Sequence, residues 1–249
     1  LRQTDSVQTF NAFAEGSKEW AIPLFTSHLS ANNLTTPVGV QNLGSQINTG
    51  RLQLSCKVGS GSSGTDFTKT NTSAIPTNGA YYFNPAPDDS GYQTNWYGSC
   101  RVKALDNQNV VTFVQMRVPP PAVSGSGFTT NMAAAYEGMP TDGGKLRVSF
   151  PYIQKVKFSG STTYLGGLAT GVTIQNLSTT STANVTFTYY NADGSVRVTK
   201  NCTVAADKQL IHNHRLISEG TCAPDLPSEW VGSLVVTSDQ PIDGFNQIT

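Results

Sequence analysis

Charge is what this chain has least of. Only 13% of its 249 residues are charged, and 16 Lys and Arg balance 16 Asp and Glu to a formal net charge of zero. Such a chain has no long-range field to gather nucleic acid or an anionic membrane, so neither is expected as a partner. Long apolar runs are missing too. The longest cover a few residues, far short of a transmembrane helix, and no membrane span is expected. The four cysteines include no Cys-x-x-Cys and no Cys–His ligand spacing, and there are three histidines. The stretches Gly59–Gly64 and Ser124–Gly127 hold neither Gly-x-Ser-x-Gly nor the Lys-Ser/Thr that closes a phosphate loop. No acidic residue stands on an aromatic-flanked strand end of the kind that suggests glycoside hydrolysis. No catalytic, cofactor-binding or metal-ligating residue is therefore assigned, and the chain is not expected to be an enzyme. It begins at Leu1 rather than Met and shows no signal peptide, which reads as a processed or trimmed form.

What it has instead is Ser, Thr, Asn and Gln among many β-branched residues, a composition that favours β-structure and extracellular chemistry. It also repeats. Val38-Gly-Val-Gln-Asn-Leu43 returns as Val172-Thr-Ile-Gln-Asn-Leu177, and Trp96-Tyr-Gly98-Ser99 returns as Trp230-Val-Gly232-Ser233, both at an offset of 134 residues. Two matches at one offset mark a tandem duplication. The units, roughly 110–120 residues each, are of ordinary single-domain size.

Leu1–Ala14, with Val7, Phe10 and Phe13, and Asn131–Tyr136 read as first strands, each just before a Glu-Gly; the alanines of the second would also suit a helical turn. Trp20–Phe25 and Leu146–Ile153 contain Pro23 and Pro151, which makes them edge strands or bends. Val38 and Val40, like Val172 and Ile174, alternate as in half-buried strands. Asn184–Tyr190 enters an Asp193-Gly194 turn and returns as Val196–Thr203; the first unit has the longer Gly59–Gly64 loop here. Ala80–Phe83 and Gln209–His212 are short strands, and the Trp-x-Gly-Ser strand and one carrying Phe113 or Phe245 close each unit. Seven or eight short strands per unit, turn signals every 8–12 residues and no helical period predict an all-β protein. The expected fold is two tandem immunoglobulin-like antiparallel β-sandwiches, residues 1–118 and 128–249, joined by a Pro/Gly/Ser linker at 119–127. Pro119-Pro-Pro121 should hold the linker's start extended and set the units end to end.

The repeat also bears on the cysteines. Leu52, Leu54 and Cys56 share one strand face, as do Val185, Phe187 and Tyr189, which aligns Cys56 with Tyr189. Cys100 aligns with Leu234 and points inward as well. Cys202 and Cys222 lie on either side of the Leu210–Leu216 segment. The expected pairs are Cys56–Cys100 and Cys202–Cys222, contributing about 4 and about 3 kcal/mol by loop entropy. Disulfides persist in oxidising compartments.

The order Pro, then V-x-I-Q-N-L, then V-T-F-T-Y-Y-N-A-D-G-S, then W-V-G-S-L-V-V-T-S-D-Q-P-I resembles a repeat of bacterial secreted and cell-surface proteins. Tyr152–Gln247 matches it closely. The first unit matches at Gln41-Asn42-Leu43, Ile75-Pro-Thr-Asn-Gly79 and Trp96–Ser99, and departs at Gly59–Gly64 and Asn84–Asn95. The resemblance implies an extracellular immunoglobulin-like module and carries over no catalytic residue.

Several constellations have a functional and a structural reading. His212-Asn-His214 puts two imidazoles on one strand face, as a metal site would, but without further ligands it reads as a solvated strand end. Asp88-Asp89-Ser-Gly91 and Asn191–Ser195 are oxygen-rich yet do not follow calcium-loop order, and read as turns. Tyr81-Tyr82-Phe83, Tyr92 and Trp96 form the densest aromatic group, either a sugar-stacking platform or core packing. Asn33, Asn71, Asn176, Asn184 and Asn201 head glycosylation sequons, so a glycan is a candidate partner; about four such triplets are expected by chance in this composition. Leu1–Ala14 either completes its own sheet or adds to the edge of a neighbouring molecule, which makes Val7, Phe10 and Phe13 candidate subunit contacts. The expected function is that of an extracellular, self-associating structural protein, a subunit of a pilus-like surface filament or layer. The alternative is an adhesin or carbohydrate-binding module without catalytic activity.

Overall fold

Period-two alternation of apolar residues runs through most of the chain, and the computed structural model turns those stretches into antiparallel strands. It describes residues 15–29, 33–85, 91–117, 133–155, 169–214, 222 and 224–248. Among them there is one short 3-10 turn, Thr141–Gly143, and no α-helix. The chain divides into two compact units, Leu1–Gly143 and Gly144–Thr249.

In the first unit, β1 (Glu19–Ser27), β2 (Val38–Asn42), β3 (Leu52–Val58), β4 (Phe67–Thr70), β5 (Ala80–Phe83), β6 (Trp96–Ala104) and β7 (Val110–Arg117) follow in sequence. They are joined by β8 (Ala133–Glu137) and β9 (Met139–Pro140). One sheet has the order β4-β3-β6-β1-β9 and the other β5-β2-β7-β8. The inward residues Ile22, Phe25, Val40, Leu52, Leu54, Val102 and Val114 are buried. Burying each such side chain is worth about 1.5–3 kcal/mol, which selects this register over its one-residue slip.

The second unit repeats the plan with β10 (Lys145–Lys155), β11 (Thr170–Asn176), β12 (Ala183–Asn191), β13 (Val196–Val204), β14 (Gln209–Asn213) and β15 (Trp230–Ile248). Its order is β13-β12-β15-β11-β14, with β10 also on β15. β15 does the work of β6 and β7 together. Its first half pairs with β12 as β6 pairs with β3, and its second half pairs with β11 as β7 pairs with β2. The turn after Ala104 that separates β6 from β7 has become continuous strand. Phe150, Ile153, Ile174, Val185, Phe187, Tyr189, Leu234 and Val236 form the core.

Residues 133–137 are a strand rather than a helical turn, and they do not open the second unit. β8 pairs with β7, setting Tyr136 opposite Val114 and Glu137 opposite Phe113, and β9 pairs with β1. The first unit therefore extends to Gly143, not to 118. The physical reason is visible at Tyr136: its buried hydroxyl donates to the Leu24 carbonyl at 2.6 Å and accepts from the Leu24 N–H at 3.3 Å. The linker 119–127 and Leu1–Ala14, with Val7, Phe10 and Phe13, lie outside the described residues.

Candidate functional site

The residues that make the repeat visible serve the architecture. Asn42 Nδ2 donates to the carbonyls of Ser45 (2.7 Å), Ile75 (3.2 Å) and Pro76 (3.1 Å), and its Oδ1 accepts from Gly44 N at 3.0 Å. Asn176 repeats this with Ser181 (2.8 Å), Val204 (3.0 Å), Ala205 (3.3 Å) and Ser178 N (2.9 Å). In Trp-x-Gly-Ser the indole lies over the glycine two residues on. A Cβ at Gly98 would meet the Trp96 ring and the Lys57 carbonyl, and one at Gly232 would meet the Trp230 ring and the Tyr190 carbonyl.

Cys56 and Cys100 are direct cross-strand partners with Cα atoms 4.0 Å apart, and they form a disulfide; their counterparts Tyr189 and Leu234 are likewise paired. The second disulfide joins Cys202 on β13 to Cys222, with Cα atoms 5.9 Å apart. Its sulfurs lie with a nitrogen of His212 in a cluster whose ligand atoms fall within 4.8 Å of one another. Sulfurs spent in a disulfide are not thiolates, so the group is a bridge packed on an imidazole.

His212 and His214 are not at a solvated strand end. His212 is 2% exposed and His214 is buried too, and both approach the Tyr189 hydroxyl, at 2.8 Å and 3.4 Å. β14 pairs with β11, and the His212 ring packs against Phe187 and Tyr189, which places this face in the core. Burial, helped by repulsion from His214, pushes the His212 pKa down to about 3. The aromatic group splits: Phe83, Tyr92 and Trp96 are core, whereas Tyr81 is half-buried and Tyr82 exposed. Phe25, Phe67, Tyr92 and Trp96 pack with ring centroids 4.9–6.2 Å apart, and Trp96 is fully buried.

Two of the five sequons are closed to a glycan. Asn176 is buried in its clamp, and buried Asn71 donates to the Asn48 and Ser73 carbonyls at 2.9 and 2.7 Å. Asn184 and Asn201 are exposed, and Asn33 is half-buried. Asn191–Ser195 is a tight turn in which Ser195 N and Oγ donate to Asp193 Oδ1 at 2.9 and 2.6 Å. Those bonds hold the Asp193 carboxyl below its usual range. Asp88 and Asp89 lie outside the described residues.

The strand edges are where the two units part company. β1 is lined on one side by β6 and on the other by β9, and Trp20 to Ser27 are all buried. Among the described residues its counterpart β10 pairs with β15, apart from a bridge of Lys155 to Ala169; Ile153↔Gly232 matches Phe25↔Gly98, and Phe150↔Leu234 matches Ile22↔Cys100. Within those pairs Tyr152 takes the place of Leu24. Leu24 is 8% exposed under Tyr136, whereas Tyr152 is 44% exposed and Leu146, further along β10, is 57% exposed. Tyr152 O, the counterpart of the carbonyl that Tyr136 satisfies, accepts from Asn246 Nδ2 at 3.2 Å. Among the described residues, no strand of the second unit occupies the position that β8 and β9 hold in the first. This edge, between Leu146 and Tyr152 on β10 and the end of β15, is the candidate site. Sequence reasoning missed it because the strand it expected there is the one pairing with β7.

No protein-family model matches the chain, and no curated protein matches it. Among solved structures it is similar to the Anabaena sensory rhodopsin transducer, at 20% identity and a TM-score of 0.32, over 42% of this chain and 97% of that one. It is also similar to the PBSX exported protein XepA, at 11% identity and a TM-score of 0.26, over 92% of this chain and 85% of that one.

Proposed function

We propose that the protein is an extracellular structural protein: two tandem immunoglobulin-like sandwiches that form the subunit of a bacterial surface filament or layer, without catalytic activity. The observation that carries this reading is the edge of the second unit, whose counterpart in the first unit is covered by a strand. A strand edge that no described strand covers, flanked by Leu146 and Tyr152, is a template for pairing with another chain. Joined to a different surface of the next copy, such a contact does not close and grows into an open filament. Two disulfides agree with an oxidising compartment, and among the described residues no helix is long and apolar enough to cross a membrane. The adhesin reading needs an exposed aromatic platform; in the densest aromatic group Tyr82 is exposed and Tyr81 half-buried, while Phe83, Tyr92 and Trp96 are buried. Light scattering of the purified chain over a concentration series, with electron microscopy of the product, tests the proposal. Growth into filaments or layers is expected; a chain that stays monomeric at every concentration contradicts it.

A further inference from the structure

The bridge beside His212 has a second chemistry. Cys202 lies on β13 and His212 on β14, the two ends of the strand order β13-β12-β15-β11-β14. Strands so far apart in that order meet because both residues face one core, where Cys202 is 8% exposed and His212 2% exposed. Cys222, which follows β14 in the chain, packs against the same core. The two sulfurs and a nitrogen of His212 lie within 4.8 Å of one another. The imidazole is set up as a ligand. Its Nδ1 is 2.8 Å from the Tyr189 hydroxyl, whereas its Nε2 is buried and has no hydrogen-bond partner. Metal-bound histidines show this division, with one nitrogen hydrogen-bonded to fix the ring and the other on the metal. When Nδ1–H donates to the Tyr189 oxygen, the bare lone pair is at Nε2. A buried polar atom of this kind calls for a partner.

We propose that the Cys202–Cys222 bridge, once reduced, is a site for one thiophilic divalent cation of the zinc class, held by both sulfurs and His212 Nε2. The site goes beyond the filament reading and does not depend on it. Thiolate and imidazole ligands select zinc-like ions over magnesium or calcium, which take oxygen. Charge selects the valence: two thiolates, a neutral imidazole and a divalent ion sum to zero, and a neutral centre can stay in the core. A monovalent ion would leave one negative charge buried there. Bonds of about 2.3 Å to sulfur and about 2.0 Å to nitrogen set tetrahedral ligands roughly 3.5–3.8 Å apart. The cluster reaches that spacing when the sulfurs part and the ring closes on them. The fourth position is left for water, on the side of the partly buried Cys222. Reduction by a dithiol breaks the S–S bond, moves two electrons and two protons onto the pair, and leaves the reductant as its own disulfide. Metal binding then releases both thiol protons. Bridge and metal site are alternative states of the same three residues.

Titration of the full chain with Zn2+ against a chromophoric chelator tests the site. One sample is reduced with a water-soluble phosphine and kept free of oxygen, and the other is left oxidised. One Zn2+ per reduced chain is expected, bound at least about a hundredfold more tightly than by the oxidised chain. Co2+ in its place should show thiolate-to-metal charge transfer and tetrahedral ligand-field absorption. His212→Gln should weaken Zn2+ binding by about tenfold or more and shift the Co2+ spectrum, with the thiols still titratable. Equal binding by the two samples overturns the inference, as does binding that His212→Gln leaves unchanged. So does a reduced chain that takes Cu+ but not Zn2+. Because the variant can misfold and Cys56–Cys100 is exposed to the same reductant, alkylation mapping of the unaltered chain gives a second readout. Zn2+ should slow iodoacetamide at Cys202 and Cys222 by about tenfold or more and leave Cys56 and Cys100 unaffected. Protection of the other pair, or of neither, overturns the inference. Self-association is measured on the oxidised chain without metal, so the filament reading stands or falls separately.

Discussion

Gly98 and Gly232 sit where the strand passes closest to its own tryptophan and to a neighbouring carbonyl, so the smallest possible addition is the most informative. Gly232→Ala drives a methyl into the Trp230 ring and the Tyr190 carbonyl, neither of which is the free end of a flexible side chain. A loss of about 3 kcal/mol in denaturant unfolding is expected, against a few tenths for Val196→Ala, which trims an exposed side chain at the start of β13. Among the titratable residues, His212 stands out. Its pKa in the fold is about 3, below the roughly 6.5 of an unfolded histidine. Between those values the unfolded chain holds the extra proton, so stability is full above about pH 6.5 and falls as the pH drops toward 3. The slope approaches about 1.4 kcal/mol per pH unit within that window. Urea unfolding followed from pH 7 to pH 4 should show this decline, and His212→Gln should flatten it. A decline of the same slope in His212→Gln would place the titration elsewhere.

At the scale of elements, the two disulfides differ in what they close. Cys56–Cys100 spans 44 residues between neighbouring strands, and Cys202–Cys222 spans 20. Replacing both cysteines of a pair by alanine should cost about 4 kcal/mol for the first and about 3 kcal/mol for the second, read as separate falls in thermal midpoint. Cys56–Cys100 could be read from sequence because strand faces alternate and the repeat supplies a second copy of each face, and Cys202–Cys222 was the pair that remained. The Gln-Asn-Leu and Trp-x-Gly-Ser positions were legible for the same reason. The burial of His212 was not: alternation puts His212 and His214 on one face but does not say that β14 turns that face inward against Tyr189. Nor could the sequence assign β8. Residues 133–137 look like a strand, yet which edge a strand joins depends on which edge is open and what lies beneath it. Here the Leu24 backbone and the Tyr136 hydroxyl decide, 112 residues apart. The fusion of two strands into β15 was hidden too, because Ser238-Asp-Gln240 is as polar as a turn.

For the molecule as a whole, the two units differ at one edge: β8 and β9 cover it in the first, and among the described residues no strand does so in the second. In the proposed filament such edges would join copies head to tail, drawing strength from ladder hydrogen bonds and from covering side chains such as Leu146 and Tyr152. Charge has little part in it. With equal numbers of acidic and basic residues and a charged fraction of only 13%, copies neither attract nor repel one another over distance. Salt should therefore matter little. Raising NaCl from about 0.05 M to about 1 M shortens the Debye length to about 3 Å and would weaken an interface built on ion pairs. Here the midpoint concentration for assembly, followed by light scattering, should move by less than about threefold, and toward tighter association if it moves, since salt that screens nothing still favours apolar burial. A midpoint that rises tenfold or more over that range would mean that ion pairs hold the copies together and that the strand edge is not the joint.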